Sequence, residues 1–267
     1  MTSTRVRSPR PDLSTIEQAF REFPEHLFRD PGVVVEQDDD LLLALSFAPA
    51  PDLNLVYGGF AGENAGERLA DTLARLRGWN VPFLWLVPPA AADLSETLAA
   101  HGLPKVADLP LMTLDFARLD PADARVEGLT LRRVTTEEDL SAWVTVSAEA
   151  FHFNEESAQK LIALGRGPVL DPDSRAHLYL GLLDGEPVST ALNIHGEETV
   201  GVWCIGTLER ARRRGIGAAM TTGPLLAARD AGYVSAMLGA TELGFPVYSR
   251  LGWEVRYTCP VHLGGPE

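Results

Sequence analysis

The residues best suited to bind a ligand lie in the stretch from Val200 to Ala228. An apolar, β-branched run predicts a strand over residues 199–207, and an Ala- and Leu-rich run after it predicts a helix. The basic, glycine-bearing turn between them consists of Arg212, Arg213, Arg214, Gly215, Ile216, Gly217 and Ala218. The first N–H groups of a helix lack internal partners and carry partial positive charge, and glycine lets a phosphate approach the backbone. The sequence therefore predicts a pyrophosphate-binding turn.

The segment after this helix places a tyrosine near the end of a short helix. Gly232 predicts the C-terminal cap of the long helix, residues 233–238 a strand, and residues 241–251 the short helix. Tyr248 lies near its end, in V-Y-S-R-L-G-W, before the turn into a last strand. A tyrosine hydroxyl is a proton donor with an ordinary pKa of about 10. The alternative role for this tyrosine is packing beneath Trp253.

The succession R-x-x-G-x-G, helix, strand, short helix with V-Y-S-R-L-G-W, final strand resembles the GNAT N-acetyltransferase superfamily. In that family the arginine-glycine loop binds the pyrophosphate of acetyl-CoA, and the tyrosine lies by the thioester sulfur. The resemblance implies that Tyr248 protonates the departing thiolate, and that the backbone of Ile205, Gly206 and Thr207 pairs with the pantetheine arm. Thr241 replaces an asparagine that commonly touches this arm, which weakens that one contact.

The implied activity is transfer of an acyl group from acetyl-CoA, as co-substrate, to a primary amine by direct attack in a ternary complex without a metal. The general base is not identified, because the family position near the middle of the strand holds Gly201. Besides a chain of water molecules, the candidates are Glu149, His152, Glu155, His195, Glu197 and Glu198. The acceptor and the preferred acyl-chain length are not predicted.

Two alternatives compete with direct transfer. Cys204 could carry the acyl group covalently, but this route needs a neighbouring base to form the thiolate. A function of another class is a non-catalytic acyl-CoA-binding sensor or scaffold. The presence of Tyr248 together with an intact basic turn favours an enzyme over a sensor.

The N-terminal half predicts the same order of elements. Helices are predicted over residues 14–23, 62–77 and 93–100. Strands are predicted over residues 33–36, 41–47, 53–60, 81–87 and 109–116. We therefore predict an α/β fold (α+β in some schemes) of two GNAT-like domains, each a mixed central β-sheet flanked by helices. The predicted bounds are a disordered arm over 1–12, a degenerate N-terminal domain over 13–116, a linker over 117–128 and the acetyltransferase domain over 129–267.

The N-terminal copy lacks the residues that suggest chemistry. The turn before its long helix is G-E-N-A-G over residues 62–66, which contains an acidic residue and no arginine. An anionic ligand would be repelled by Glu63. In place of Tyr248 the equivalent helix offers Leu98 or Ala99. We therefore predict a structural role for this copy.

The acetyltransferase domain opens with a strand over residues 129–134 and a helix capped by Thr135 or Thr136. That helix runs to about Phe151, and the next one ends at Leu164. The elements that follow are a loop over 165–174 and hairpin strands over 176–183 and 187–195.

Composition restricts the partners. The chain has 267 residues, of which 45% are hydrophobic and 22% charged, and its net charge of −14 argues against nucleic acid and leans toward a cationic acceptor. No apolar run approaches ~20 residues, and the first ten residues are polar, so we expect a cytoplasmic monomer or homodimer without membrane contact. The two cysteines, Cys204 and Cys259, are too few for a zinc site or disulfides and are predicted to be reduced and buried.

Overall fold

Helices and strands follow one another in the order that the sequence predicts. The computed structural model describes residues 8–266, which form seven α-helices and eleven β-strands. The helices are α1 (Leu13–Leu27), α2 (Ala65–Trp79), α3 (Leu94–Ala100), α4 (Glu137–Phe151), α5 (Glu155–Leu170), α6 (Ile216–Asp230) and α7 (Phe245–Arg250). The strands are β1 (Val34–Gln37), β2 (Leu41–Leu45), β3 (Asn54–Gly58), β4 (Phe83–Leu86), β5 (Lys105–Asp115), β6 (Leu129–Arg133), β7 (Ala176–Leu183), β8 (Glu186–His195), β9 (Val200–Thr207), β10 (Ser235–Gly239) and β11 (Glu254–Gly264).

The chain packs as two compact units, each built from two stretches of sequence. The larger unit comprises residues 8–27 and Pro110–Arg256, and the smaller unit comprises Phe28–Leu109 and residues 257–266. The predicted domains follow one another along the chain, whereas here α1 groups with the larger unit and the end of β11 with the smaller one. Strand pairing explains the second assignment, because Val261 to Gly264 of β11 form an antiparallel ladder with β4.

The larger unit contains a mixed sheet with the strand order β5-β10-β9-β8-β7-β6. β9 and β10 are parallel, and the other neighbours are antiparallel. Parallel neighbours need a crossover connection, which α6 supplies between β9 and β10. The predicted mixed α/β architecture is confirmed.

Helices cover both faces of this sheet. A Cβ atom on Gly206 of β9 would lie 3.0 Å from side chains of α4, and one on Gly181 of β7 would lie 2.7 Å from the sulfur of Met220 in α6. Gly206 pairs with Thr190 and Gly181 with Ser189, which are adjacent residues of β8. Adjacent strand residues point to opposite faces, so α4 and α6 lie on opposite sides.

The smaller unit contains a sheet with the order β1-β2-β3-β4, followed by the end of β11. β3 and β4 are parallel and are connected by α2. Their ladder runs from Leu55↔Leu84 to Tyr57↔Leu86, so the two strands stay paired over most of their length. The core beneath them contains leucines of α2 and the fully buried Trp85.

The first helix differs from its prediction at both ends. It begins at Leu13, one residue before the predicted start, and Asp12 caps it: the Asp12 carboxylate accepts from the N–H of Thr15 at 2.9 Å. The helix continues through Pro24 to Leu27, and both residues are buried. A proline in the last turn removes only one helical hydrogen bond, and we attribute its acceptance to this burial. Of the predicted disordered arm, residues 1–7 lie outside the described residues.

The loop predicted over residues 165–174 is helical in its first half. α5 does not end at Leu164 but continues to Leu170, through Gly165 and Pro168. A Cβ atom on Gly165 would lie 2.7 Å from Leu140 of α4. This glycine therefore permits close packing of two helices and does not break one of them.

Of the two predicted caps, Thr135 and Thr136, it is Thr136 that caps α4, and its hydroxyl accepts from the N–H of Asp139 at 3.1 Å. We expect Thr136→Ala to lower the free energy of unfolding by about 1 kcal/mol, because a helix N–H loses its partner. The measurement is urea unfolding followed by circular dichroism. The matched control is Thr135→Ala, which removes the same hydroxyl one residue earlier, where it does not cap the helix. An equal loss in both variants would contradict the capping role.

Within residues 8–266, every helix is too short or too polar to cross a bilayer. The same residues contain no group of three or more His, Cys, Asp or Glu side chains arranged to hold a metal ion.

Candidate functional site

The central feature of the larger unit is a bulge in β9. Thr190 of β8 pairs with Gly206, and Leu192 pairs with Trp203, so two residues of β9 lie opposite one residue of β8. Cys204 adopts a φ of 51° there, a left-handed conformation that is uncommon outside glycine. A bulge of this kind bends the strand and increases its twist.

Hydroxyl groups of β8 hold the bulged strand. The Thr190 hydroxyl donates to the carbonyl of Cys204 at 3.0 Å, and the Ser189 hydroxyl donates to the carbonyl of Gly206. These bonds link the two strands at the bulge. A carbonyl oxygen has two lone pairs, so the carbonyls of Cys204 and Gly206 can each accept a second hydrogen bond from a ligand.

On its other edge β9 separates from β10. The parallel ladder consists of Ala236↔Val200 and Met237↔Gly201, at the beginning of β9 only. From residue 202 to Thr207, β9 therefore has no ladder with β10. Over these residues the edge of β9 on the side of β10 has no ladder partner, and this unpaired edge is called the slot below. The smaller unit differs, because β3 and β4 remain paired up to Tyr57.

The turn after β9 presents a run of backbone donors. Arg213 has a φ of 62° and Gly215 a φ of 80°, and Gly215 is the N-cap of α6. The first helical bond of α6 runs from the N–H of Ala219 to the carbonyl of Gly215. Among the described residues, none accepts a backbone hydrogen bond from the N–H groups of 216–218. The start of α6 therefore presents three backbone N–H groups without a described backbone acceptor, and the binding of a pyrophosphate there stays a prediction.

Glycines keep this region accessible. A Cβ atom on Gly217 would have no heavy atom within 4 Å, so the space beside the first turn of α6 is open. Gly206 is different, because a Cβ there would be tight against Ala150 and Phe151. Gly206 thus allows α4 to approach β9. Ile216 is fully buried in the core and Ala218 is 7% exposed, so these residues contribute backbone groups.

The arginines of the turn divide into two groups. Arg210 forms ion pairs with Glu149 at 3.1 Å and with Glu186 at 2.6 Å, so its charge is already matched. Arg212 donates through Nε to the carbonyl of Thr207 at 3.0 Å, which ties the turn to the end of β9. The guanidinium groups of Arg212, Arg213 and Arg214 are exposed, and no described carboxylate pairs with them.

Tyr248 has a buried ring and an accessible hydroxyl. Tyr248 is 8% exposed, and the centroid of its ring lies 6.0 Å from that of Trp253. Its core cluster also contacts Ile205 of β9, so the tyrosine and the slot belong to one packed region. The hydroxyl is not among the fully buried polar atoms without a partner. Burial raises the pKa of Tyr248 to about 12, which keeps its proton in place at neutral pH.

The side-chain and backbone oxygens of Thr241 accept hydrogen bonds from neighbouring residues of the chain. Its hydroxyl accepts from the N–H of Gly244 at 3.2 Å, and its carbonyl accepts from the N–H of Phe245 at the start of α7. The residue therefore shapes the entry to the helix that carries Tyr248. The weak coenzyme contact of Thr241 stays a prediction.

The candidate bases lie at two distant places along β9. His195, Glu197 and Glu198 lie around its beginning, where Glu198 accepts from the hydroxyl of Thr15. The strand rises ~3.3 Å per residue, so they are on the order of 20 Å from its Thr207 end. The candidates near the other end are Glu149, which pairs with Arg210, His152, which ends α4 with a φ of 57°, and Glu155, the first residue of α5.

The cysteines differ from each other. Cys259 is fully buried as predicted, and burial raises the pKa of its thiol to about 12. Cys204 is only half-buried, because the bulge turns its backbone into the left-handed conformation. The prediction of burial is therefore wrong for Cys204.

No sequence pattern predicted the pocket that lies next to the basic turn. Its volume is about 490 Å³, and it is lined by Arg214 and Gly215 together with Arg125 and Arg250. Arg250 is the arginine of V-Y-S-R-L-G-W, so its position at the end of a short helix was a usable signal. Arg125 lies in the predicted linker, and nothing in that segment indicated a place in the pocket. No sequence pattern predicted the bulge at Cys204 either.

Three comparisons with known proteins bear on the fold. A scan against protein-family models finds no match, and a search of curated protein sequences finds no similar protein. Solved structures do match over nearly the whole chain. A GCN5-related N-acetyltransferase from Kribbella flavida is 24% identical and aligns with a TM-score of 0.62, covering 93% of this chain and 94% of the other.

Two further structures agree with the first. A GCN5-related N-acetyltransferase from Sphaerobacter thermophilus is 18% identical, with a TM-score of 0.63 and coverage of 96% and 94% of the two chains. A tandem GNAT protein from the clavulanic acid biosynthesis pathway is 13% identical, with a TM-score of 0.57 and coverage of 96% and 98%. The chain therefore has the fold of GCN5-related N-acetyltransferases, which the resemblance in its sequence predicted.

Proposed function

We propose that the larger unit is an acetyl-CoA-dependent N-acetyltransferase that acts on a primary amine by direct attack. The pyrophosphate binds the N–H groups at the start of α6 and the arginines of the turn. The pantetheine arm enters the slot beside β9 and pairs with the backbone of residues 205–207. The thioester then lies near the bulge, within the packed region that includes Tyr248.

The reaction needs no group besides acetyl-CoA, the amine and water. The nitrogen lone pair attacks the thioester carbonyl carbon, a C–N bond forms, and the C–S bond breaks as the tetrahedral intermediate collapses. Tyr248 donates its proton to the departing sulfur, the proton lost from nitrogen leaves to water or a base, and the Tyr248 phenolate regains a proton from water, which closes the cycle. The raised pKa of Tyr248 keeps the phenol protonated before transfer.

One observation carries this proposal: the ladder between β9 and β10 ends at Gly201, and the strand then leads into an open helix N-terminus. An extended, amide-containing ligand with a pyrophosphate at one end fits that combination. The amide groups match the unpaired strand edge, and the two phosphates match the exposed N–H groups. Acetyl-CoA has both parts.

We infer a structural role for the smaller unit as a degenerate copy. Leu98 accepts, through its carbonyl, from the N–H of Leu103 at 3.0 Å, just as Tyr248 accepts from Trp253 at 3.1 Å. Leu98 thus corresponds in local geometry to Tyr248 and offers no proton. The continuous pairing of β3 with β4 also leaves no slot. These features support the absence of chemistry in this unit.

The proposed function is tested by binding and turnover in the same preparation. We expect saturable binding of acetyl-CoA by calorimetry, and release of free thiol that increases when a primary amine from a panel is added. Release without dependence on any amine would contradict transfer, and binding without release would indicate a sensor or scaffold. Absence of binding would overturn the assignment as a whole.

A further inference from the structure

The smaller unit contains a serine that is hydrogen-bonded to a buried histidine. Ser95 is the second residue of α3, and its hydroxyl oxygen lies 2.7 Å from Nε2 of His262 in β11. The imidazole is fully buried, and its other nitrogen, Nδ1, lies 2.8 Å from the carbonyl oxygen of Leu103. Three separate stretches of the chain therefore meet around one hydroxyl group.

The carbonyl of Leu103 determines which nitrogen of His262 carries the proton. A carbonyl oxygen only accepts hydrogen bonds, so Nδ1 must be the donor in this contact. In the neutral ring Nε2 then has no proton, and it accepts from the hydroxyl of Ser95. A histidine held in this way serves as the base for a serine nucleophile, and the carbonyl orients the ring as a carboxylate does in a catalytic triad.

The position of Ser95 leaves its hydroxyl able to react. The residue is half-buried, whereas the imidazole behind it is fully buried, so the pair is approached from the serine side. Among the described residues, His262 is the hydrogen-bond partner of this hydroxyl, and no donor engages the lone pairs of its oxygen. These lone pairs are therefore available to attack an electrophile.

The charges near Ser95 restrict the class of electrophile. Asp93 and Glu96 flank it along the chain, and both side chains are exposed. Negative charge beside a nucleophile repels an anionic substrate. An uncharged carbonyl compound therefore fits this surface better than a phosphate ester or a carboxylate does.

We propose that Ser95 is an activated nucleophile that takes an acyl group from an uncharged carboxylic ester. The Ser95 oxygen attacks the carbonyl carbon, and the hydroxyl proton passes to Nε2 of His262. When the tetrahedral intermediate collapses, its C–O bond to the alcohol breaks and the alcohol leaves with the proton from His262. The acyl group remains as an ester on Ser95. This reaction uses no coenzyme, so it does not require the coenzyme-binding features that the smaller unit lacks.

The test labels the wild-type protein with an alkyl fluorophosphonate, a reagent from which a serine oxygen displaces fluoride at phosphorus. We expect Ser95 to be labelled about 100-fold faster than Ser141, an exposed serine of α4, when both peptides are followed by mass spectrometry. The protein should also release about one equivalent of p-nitrophenol from p-nitrophenyl acetate in a burst and retain an acetyl group on Ser95. Ser95→Ala should lose the burst. Equal labelling of the two serines, or no labelling of Ser95, would overturn the proposal.

Two cysteine variants test the base without removing it. In Ser95→Cys the imidazole should take the thiol proton, so the thiolate should react with iodoacetamide about tenfold faster than in the matched control Ser141→Cys. His262→Gln should reduce the labelling of Ser95 to the rate of Ser141. Undiminished labelling in this variant, with an unchanged circular dichroism spectrum, would overturn the role of the histidine. If His262→Gln does not fold, the cysteine variants decide, and equal rates in the two would overturn it.

Discussion

Tyr248→Phe is expected to lower kcat by about 100-fold or more, because the departing thiolate loses its proton donor. The affinity for acetyl-CoA should stay within about twofold, since the ring that packs near Trp253 is retained. Stopped assays of thiol release give kcat, and calorimetry gives the affinity. Folding should not change, because no described residue bonds the Tyr248 hydroxyl and solvent can take its place.

The pH dependence gives a second readout of the same residue. The pKa of about 12 means that Tyr248 retains its proton across the whole neutral and mildly alkaline range. Its ionisation should therefore not reduce kcat below about pH 10. A loss of kcat with a midpoint near pH 8 that disappears in the phenylalanine variant would contradict this assignment. Tyr257→Phe, a phenol in the smaller unit, is the control and should leave kcat unchanged.

Gly217→Trp is expected to weaken acetyl-CoA binding on the order of 100-fold, because the indole would fill the space reserved for the phosphates. A Cβ atom at this position meets no protein atom within 4 Å, so the variant should fold normally. The unfolding temperature should shift by no more than about 2–4 °C. Calorimetric titration with acetyl-CoA measures the first effect and a thermal scan the second.

The chain offers a matched control for this substitution. Gly66 is the second residue of α2, as Gly217 is of α6, and it also has no neighbour within 4 Å of its Cβ direction. Gly66→Trp should leave acetyl-CoA binding unchanged, since the turn before α2 is acidic. If Gly66→Trp weakened binding and Gly217→Trp did not, the ligand would belong to the smaller unit.

Sequence patterns predicted the elements of the site more reliably than their contacts. The succession of β9, the basic turn and α6 follows from an apolar run, two glycines and an Ala-rich helix, all of which are local signals. The cap at Thr136 is local for the same reason. Such features depend on neighbouring residues along the chain, and one sequence is sufficient to specify them.

The features that could not be predicted depend on distant parts of the chain. The left-handed conformation of Cys204 arises from the register between β8 and β9, which no cysteine signals. Gly165 suggested a loop, although its purpose is contact with Leu140 of another helix. Arg125 and Arg250 reach one pocket only after folding. Each of these features depends on tertiary contacts, so the local sequence propensities do not predict it.

The last strand imposes a delay on biosynthesis. Residues 83–86 of β4 form part of their ladder with residues 261–264, which are synthesised 175 to 181 residues later, since Leu86 pairs with Val261 and Phe83 with Gly264. At about 5–20 residues per second, the edge of β4 waits on the order of 10–30 s for this partner. An unpaired edge of apolar strand is a template for aggregation. We therefore expect the yield of folded protein to respond to the speed of translation.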